Sequence, residues 1–262
     1  MAKRRLGSLV FAAWIGWITL QNAAAEKSLV PPDPEIHVGE RLVYKITWLR
    51  IPVALGEIWV KEKTKRDGRE IIYIAGKLET NKALSKILPM HDEAHSWIDA
   101  KTYESVQFEK KIDELLINAH ERMVFDAAAK KGYYESFKTG EKKEFDIRVP
   151  VHDVISAFYW ARRQSLRPGQ MARMILTADQ TNWDLEIGPG ERKRVKMNGQ
   201  KIETLRIDPV TRVGTEEKRG RASFYLTTDA SRTPVRITFK APFGRVVGTL
   251  IENSAQPEWK AR

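Results

Sequence analysis

The chain has 262 residues, of which 45 are lysine or arginine and 34 are aspartate or glutamate, so its formal net charge is +11. It contains no cysteine, which excludes disulfides, thiol catalysis, cysteine-ligated zinc and the lipidated cysteine of a bacterial lipoprotein. With 42% apolar residues and eight tryptophans, the composition is typical of a folded protein and not of a disordered one.

Residues 1–25 have the layout of a secretory signal peptide. Lys3-Arg4-Arg5 forms a basic segment, an uncharged run extends from Leu6 to Leu20, and Ala23-Ala24-Ala25 supplies small residues before a cleavage site. A membrane-spanning helix needs about 20 apolar residues, and this run is shorter. We therefore expect cleavage after Ala25 and export to the periplasm, with a position at the periphery of the outer membrane left open.

Residues 26–35 contain Pro31-Pro32-Asp33-Pro34, which favours an extended tether before a single β-rich domain over residues 36–255. Removal of the signal leaves the chain basic. In the periplasm that positive charge favours an anionic envelope lipid, lipopolysaccharide or an acidic glycan as the partner. We do not expect a nucleic acid as a partner there. The alternative is that the charge only keeps the protein soluble. No later segment is long and apolar enough to cross a membrane, and the oligomeric state stays open.

The first elements predicted after the tether are strands. In residues 42–48, polar residues alternate with apolar ones that are predicted to face a core, namely Leu42, Tyr44, Ile46 and Trp48. Residues 57–61 and 71–74 flank the turn-like Arg66-Asp67-Gly68-Arg69 and predict a hairpin. Residues 110–123 are compatible with a helix, but the β-rich residues on either side favour a second hairpin.

His91 and His95 are the pair of residues that most resembles a metal site. Four residues apart on a helix, the two imidazoles would face one way and chelate zinc. Pro89 and the strand-like residues 96–99 favour an extended segment instead, in which the rings stand about 13 Å apart. We therefore predict no metal site.

Residues 152–165 predict the single helix of the fold, with Val154, Ile155, Phe158 and Tyr159 on one face and Pro168-Gly169 as its stop. A polar stripe at a spacing of three runs along it, made of Asp153, Ser156, Tyr159 and Arg162. The stripe is either a working site or ordinary helix chemistry, in which Asp153 lies at the N-terminus, Tyr159 is half-buried and Arg162 is paired or exposed. We prefer the second interpretation, because no histidine or cysteine is placed to activate Ser156.

The C-terminal third is predicted to consist of strands and turns. Gly188-Pro189-Gly190 is typical of a turn, and Asn198-Gly199 predicts a type I′ hairpin between residues 195–197 and 202–205. The basic residues 192–196 favour protection of a sheet edge over a ligand site. Residues 222–226, 235–239 and 246–251 predict a three-stranded meander.

Three separated motifs resemble the bacterial exported family known as domain of unknown function 3108. They are residues 39–44 (GERLVY), residues 153–159 with Arg162 (DVISAFY), and residues 226–229 with 232–235 (LTTD and RTPV). The resemblance spans residues 36–253. It implies a curved antiparallel sheet or open half-barrel in a Gram-negative envelope, similar in outline to periplasmic lipoprotein carriers. It implies no activity.

We therefore expect a mainly β fold, with a large curved antiparallel sheet or open half-barrel and one packed helix. The function expected is non-enzymatic binding or carriage of an amphiphilic envelope molecule or an assembly partner, on a concave sheet face rich in tryptophans such as Trp48, Trp59, Trp97 and Trp183. No cofactor and no catalytic residue are predicted. The alternatives are an envelope hydrolase or glycan-modifying enzyme, and a structural scaffold.

Overall fold

The computed structural model describes residues 35–87, 89–164, 171–188, 190–197, 199–213, 216–219, 222–241 and 244–255. The predicted signal peptide, the tether up to residue 34, the Pro168-Gly169 helix stop, Pro189 and Asn198 lie outside these ranges. Within them, no helix is long and apolar enough to cross a membrane.

The described residues form 18 strands and one helix. Up to the helix, the strands in chain order are β1 (Arg41–Trp48), β2 (Ile51–Arg66), β3 (Arg69–Thr80), β4 (His91–Asp99), β5 (Ser105–Asp113), β6 (Asn118–Asp126), β7 (Lys131–Ser136), β8 (Lys142–Asp146) and β9 (Val151–His152). The helix and the strands after it are α1 (Val154–Arg163), β10 (Ala172–Ala178), β11 (Thr181–Ile187), β12 (Glu191–Met197), β13 (Gln200–Ile207), β14 (Val210–Val213), β15 (Glu216–Arg219), β16 (Ala222–Thr227), β17 (Pro234–Ala241) and β18 (Gly244–Asn253).

A large sheet of 13 antiparallel strands dominates the fold, in the order β12-β13-β16-β17-β18-β1-β2-β3-β4-β5-β6-β7-β8. The pairing of β1 with β18 joins the two halves of the chain. The order is linear and ends at β12 and β8, so the sheet is open. The prediction of a mainly β fold with a large open antiparallel sheet and one helix is therefore confirmed.

A second sheet of five strands, in the order β15-β14-β11-β10-β9, was not predicted. Its β9–β10 pair is parallel, because α1 forms the crossover between these two strands. Helix α1 packs on both sheets. Ile155 and Tyr159 join the core of the large sheet, and Ala157 joins a core with Met174 and Leu185 of the second sheet.

The hairpins predicted from the sequence are present. Asp67 and Gly68 both have positive φ between β2 and β3, as a type I′ turn requires. Residues 110–123 form the β5–β6 hairpin, and β12 pairs with β13 across Gly199, which has φ +81°. The predicted meander is β16–β18.

The basic strand β12 forms one edge of the large sheet, as expected for a strand whose charges protect an edge. Its Val195 and Met197 are buried, whereas Arg192, Arg194 and Lys196 are exposed. Charged side chains on the exposed face of an edge strand oppose pairing with another chain.

Candidate functional site

Asp153 fixes the N-terminus of α1 from inside the protein. Its Oδ1 accepts hydrogen bonds from the backbone N–H groups of Ile155 at 2.7 Å and Ser156 at 3.0 Å, which satisfies donors that the start of a helix leaves free. Its Oδ2 accepts from the hydroxyls of Ser96 and Ser105, each at 2.7 Å. Because these serines lie on β4 and β5, the carboxylate joins the helix to the large sheet.

Arg162, in the last turn of α1, forms a buried ion pair with Glu40, the residue before β1. Its Nη1 and Nη2 donate to Oε1 and Oε2 of Glu40 at 2.7 and 3.0 Å, and the Tyr159 hydroxyl donates to Oε1 at 3.1 Å. The two charged side chains are only 5% and 7% exposed. A bidentate, charge-assisted ion pair of this kind is directional and strong.

The three motifs of the family resemblance meet at this ion pair. Arg162 also donates from Nη2 to the carbonyl of Ser231 at 3.1 Å, and Arg232 donates from Nη1 to the carbonyl of Arg162 at 3.0 Å. The Tyr44 hydroxyl donates to the carbonyl of Pro234 at 2.8 Å. Segments that are far apart in the sequence are therefore held against one helix.

The protonation states follow from burial and charge. Burial opposes ionisation of Glu40, but the charge and hydrogen bonds of Arg162 outweigh it and hold the pKa of Glu40 below its usual value. Burial likewise opposes the charged form of Arg162, but the negative charge of Glu40 outweighs the effect of burial, so the pKa of Arg162 is raised. Burial, and then the Glu40 charge, raise the pKa of Tyr159 well above its ordinary value. A carboxylate, a guanidinium and a neutral hydroxyl are therefore in contact.

The predicted polar stripe lies inside the core, with exposures of 0%, 0%, 2% and 4% for Asp153, Ser156, Tyr159 and Arg162. The expectation that Tyr159 is half-buried was wrong, because its hydroxyl has to reach Glu40. The Ser156 hydroxyl lies 2.8 Å from the Ser105 hydroxyl and donates to the carbonyl of Asp153 at 3.2 Å, and neither partner is a base that would activate a nucleophile. We call Glu40 and these four residues the helix anchor.

An apolar groove of about 460 Å³ crosses the face of the large sheet on which α1 packs. It lies over β17, β18 and β1–β5, and its walls include Ile46, Ile58, Leu78, Phe108, Ile237 and Phe239. Ile155 of α1 lines it at one end. At the other end it reaches Ile112 and Val246, next to the hairpin turns of the sheet.

Three glycines keep the floor of the groove low. A Cβ on Gly248 would stand 3.2 Å from Cδ1 of Ile46, one on Gly56 would stand 3.6 Å from that same atom, and one on Gly76 would stand 3.7 Å from Cδ1 of Ile155. Glycine in a strand weakens it but leaves room for close approach. The three positions lie on β18, β2 and β3, so the floor is low across neighbouring strands.

Of the charged residues that line this groove, Asp92 and Lys110 pair with Leu78 and Ala94 on the neighbouring strands, so their side chains lie on the groove face. Lys110 pairs with Glu121 at 3.2 Å and with Asp179 of the β10–β11 turn at 2.6 Å. Burial opposes the lysine cation, but the hydrogen bond and charge of Asp179 outweigh it, so the pKa of Lys110 is raised. The groove thus combines an apolar floor with a charged margin.

The tryptophans expected on the concave sheet face do not line the groove. Trp97 stacks on Tyr73, with ring centroids 4.9 Å apart, on the opposite face of the sheet, because it alternates with the buried Ile98. Trp59 lies under Nζ of Lys61. Trp48 follows an irregularity in the β1–β2 pairing and is 36% exposed, so the expectation that it faces the core was wrong. The groove aromatics are Tyr44, Phe108 and Phe239.

His91 and His95 both lie on the strand β4, as their extended surroundings predicted. Nδ1 of His95 is 2.8 Å from the Tyr73 hydroxyl, and Nδ1 of His91 is 3.6 Å from a carboxylate oxygen of Glu79. The part of the chain that the structure describes holds no cluster of histidine, aspartate and glutamate able to bind a metal ion.

Fold and site define a class of protein: an open antiparallel sheet with one anchored helix beside an apolar groove. The chain belongs to the family described as Protein of unknown function (DUF3108), whose model matches residues 43–251. The resemblance seen in the three motifs is therefore confirmed. No curated protein matches the chain.

Among solved structures, the chain is similar to a beta-barrel-like protein of domain of unknown function DUF1849 from Brucella abortus. The TM-score is 0.52 at 10% identity, over 83% of this chain and 97% of that one, which supports a shared fold. Two looser matches are a protein with a YmcC-like fold from Bacteroides fragilis, described as exported (TM-score 0.34, 5% identity), and one from Parabacteroides distasonis, described as a lipoprotein (0.35, 8%). Each covers 86% of this chain and 99% of its own.

Proposed function

We propose that this protein is a non-enzymatic periplasmic binding protein that carries an amphiphilic envelope molecule, whose apolar part lies in the groove. The observation that carries the proposal is the apolar groove itself, with its glycine floor. Its volume of about 460 Å³ lies within the range of about 300–1,000 Å³ that is typical of small-molecule sites, and its walls are apolar.

The charges at the margin support an amphiphile as the ligand. Because its pKa is raised, Lys110 stays positively charged, and it lies on the groove face where it can contact an anionic headgroup. Such a headgroup would compete with Glu121 and Asp179 for the lysine. Apolar sites with a few placed polar groups are typical of binding proteins for small molecules.

The first experiment is binding of a dansyl-labelled undecanoic acid to delipidated protein, followed by fluorescence. Gly56→Val adds three carbons to the groove floor, next to Ile46 and Leu78. If it displaces about two methylenes at roughly 0.8 kcal/mol each, affinity falls about tenfold. Because valine favours strands and glycine does not, thermal stability should be equal or higher.

Leu55→Val is the matched control, since Leu55 is the next residue of β2 and points away from the groove. We expect it to leave the affinity unchanged. Absence of saturable binding by the wild-type protein, or an equal loss in both variants, would overturn the proposal. Mass spectrometry of protein purified from its own envelope then identifies the natural ligand.

One carboxyl pair favours the enzyme as a second candidate. Glu114 shares a hydrogen bond with Asp92 at the groove margin, and burial, this bond and the Asp92 charge raise the pKa of Glu114. Loss of function in cells for Glu114→Gln, with probe binding intact, would favour the enzyme.

A further inference from the structure

Exposed apolar side chains gather at one end of the large sheet, on the turns that connect its strands. Six of them, exposed by 52–92%, define what we call the tip surface: Leu49, Ile51, Ile87, Leu115, Leu116 and Ile117. They lie in the β1–β2 turn and the first residue of β2, in the β3–β4 loop and in the β5–β6 turn. Consecutive antiparallel strands place alternate turns at the same end, so these three connections share one end.

Hydrogen bonds tie these connections into a continuous rim. The Leu49 N–H donates to the carbonyl of Arg245 beside the β17–β18 turn, and the Asn81 N–H of the β3–β4 loop donates to the carbonyl of Val53 at the start of β2. Met90 bridges to Glu114 of the β5–β6 turn. The tip surface is therefore one feature of the fold, built from separate segments.

The core of the protein does not account for these apolar side chains. Two hairpin turns at the opposite end carry no large apolar side chain: Arg66-Asp67-Gly68-Arg69 lies between β2 and β3, and Ala127-Ala128-Ala129 follows Asp126 between β6 and β7. Three consecutive large apolar residues, Leu115 to Ile117, are each more than half exposed. Single exposed apolar residues are ordinary, but a group of them marks an interaction surface.

Cations surround the tips of two of these connections and of the neighbouring β17–β18 hairpin. Arg50, Lys82, Lys86, Lys240 and Arg245 are all exposed, and among the described residues none of the five pairs with a carboxylate. The β5–β6 turn instead carries Asp113 and Glu114. Apolar tips between exposed lysines and arginines are complementary to a bilayer interface with anionic headgroups.

We infer that the tip surface docks on a bilayer of anionic lipids, with the apolar tips in the interface and the cations against the headgroups. Separate projecting tips suit a fluid interface better than a flat protein surface. Phe239 and Val246 line the groove next to the β17–β18 turn, so docking would open the groove end toward the membrane. Docking does not require the groove to hold a ligand.

The test is flotation of protein recovered after export and processing by the cell, with vesicles of phosphatidylethanolamine and phosphatidylglycerol. The triple variant Leu115→Ser/Leu116→Ser/Ile117→Ser should reduce vesicle affinity by at least about tenfold, since three apolar side chains no longer enter the interface. The control is Val38→Ser/Val154→Ser/Met171→Ser, whose residues are also apolar and are 49–54% exposed but lie outside the tips. It should bind as the wild type does.

A charge variant separates the two parts of the interaction. Lys82→Glu/Lys86→Glu should weaken binding to the anionic vesicles, whereas vesicles of phosphatidylcholine alone should bind all forms weakly. The inference is overturned if the wild type does not float with anionic vesicles, or if tip and control triples bind equally. A tip triple that changes only self-association in sedimentation would assign the surface to a second copy of the chain. Because the dansyl probe needs no vesicle, failure of docking and failure of groove binding are distinguishable.

Discussion

Replacement of Glu40 by alanine tests whether the buried ion pair holds the helix in place. The change removes three hydrogen bonds, two from Arg162 and one from Tyr159, and leaves a guanidinium that is 5% exposed without its counter-charge. Burial of an unpaired charge costs about 3–5 kcal/mol. Against a total stability of about 5–15 kcal/mol for a domain, we expect Glu40→Ala to be strongly destabilised.

Urea unfolding followed by tryptophan fluorescence measures this loss. With a slope of about 2–3 kcal/mol per molar urea, the midpoint should fall by about 1–2.5 M. The double variant Glu40→Leu/Arg162→Met replaces the pair by apolar groups and should be more stable than Glu40→Ala, because it leaves no unpaired charge. A cost below about 1 kcal/mol for Glu40→Ala, the range of an exposed pair, or a double variant less stable than Glu40→Ala, would refute the reasoning.

The ion pair also predicts a pH dependence with a definite sign. Because the pKa of Glu40 is lowered in the folded state, its stabilisation is present above the ordinary glutamate pKa of about 4.3. It is lost as the pH falls through the lower folded-state value. The Glu40→Ala protein should lack this acidic component of the stability curve.

Three further predictions concern other parts of the chain. Burial lowers the pKa of His152 to about 4, although a hydrogen bond to a backbone carbonyl opposes this shift. The free energy of unfolding should therefore be highest above pH ~6.5 and fall by about 3 kcal/mol toward pH ~4. The His152→Gln protein should lack this fall, and a wild-type protein that kept its stability at pH ~4 would contradict the prediction. Because Phe158 is only partly buried, Phe158→Ala should destabilise the fold by about 2–3 kcal/mol, which is below the usual range for a buried phenylalanine. Ser156→Ala should cost about 1 kcal/mol. Thermal melts of the two variants compare these losses, and a larger loss in Ser156→Ala together with lost function would make the polar stripe a working site. N-terminal sequencing of the exported protein should begin at Glu26, and retention of Met1 on membrane-bound protein would disprove cleavage.

Local patterns were enough to predict much of the fold. The β2–β3 and β12–β13 hairpins follow from turn residues that accept positive φ, and α1 follows from apolar spacing and from Asp153 as its cap. These features depend on residues that are neighbours in the chain. The second sheet was missed because its β9 is two residues long and pairs with β10 only across the helix crossover.

The site depends on contacts between distant residues, which no local pattern shows. Glu40 and Arg162 are 122 positions apart, and an acidic residue before a strand has many ordinary roles. The groove depends on which face of each strand is inward, and alternation leaves that choice open. Because side chains alternate between the two faces of a strand, Trp97 lies on the outer face of the sheet, whereas Gly76 and Ala94 lie on the inner face. Two signals in the sequence pointed to this region, namely the order of the three family motifs and the polar stripe along the predicted helix.

The helix anchor has a consequence for the groove that packing alone would not supply. Helix α1 has 10 residues, fewer than the ~12–15 that make an isolated helix stable, and apolar contacts alone would let it slide or turn between two sheets. Asp153 and Arg162 fix it at both ends, about 13 Å apart at 1.5 Å per residue, so Ile155 stays at the end of the groove. We therefore expect the double variant Glu40→Leu/Arg162→Met to bind the dansyl probe more weakly than the wild type even where its stability is recovered. Unchanged probe affinity in that variant would show that apolar packing alone positions the helix.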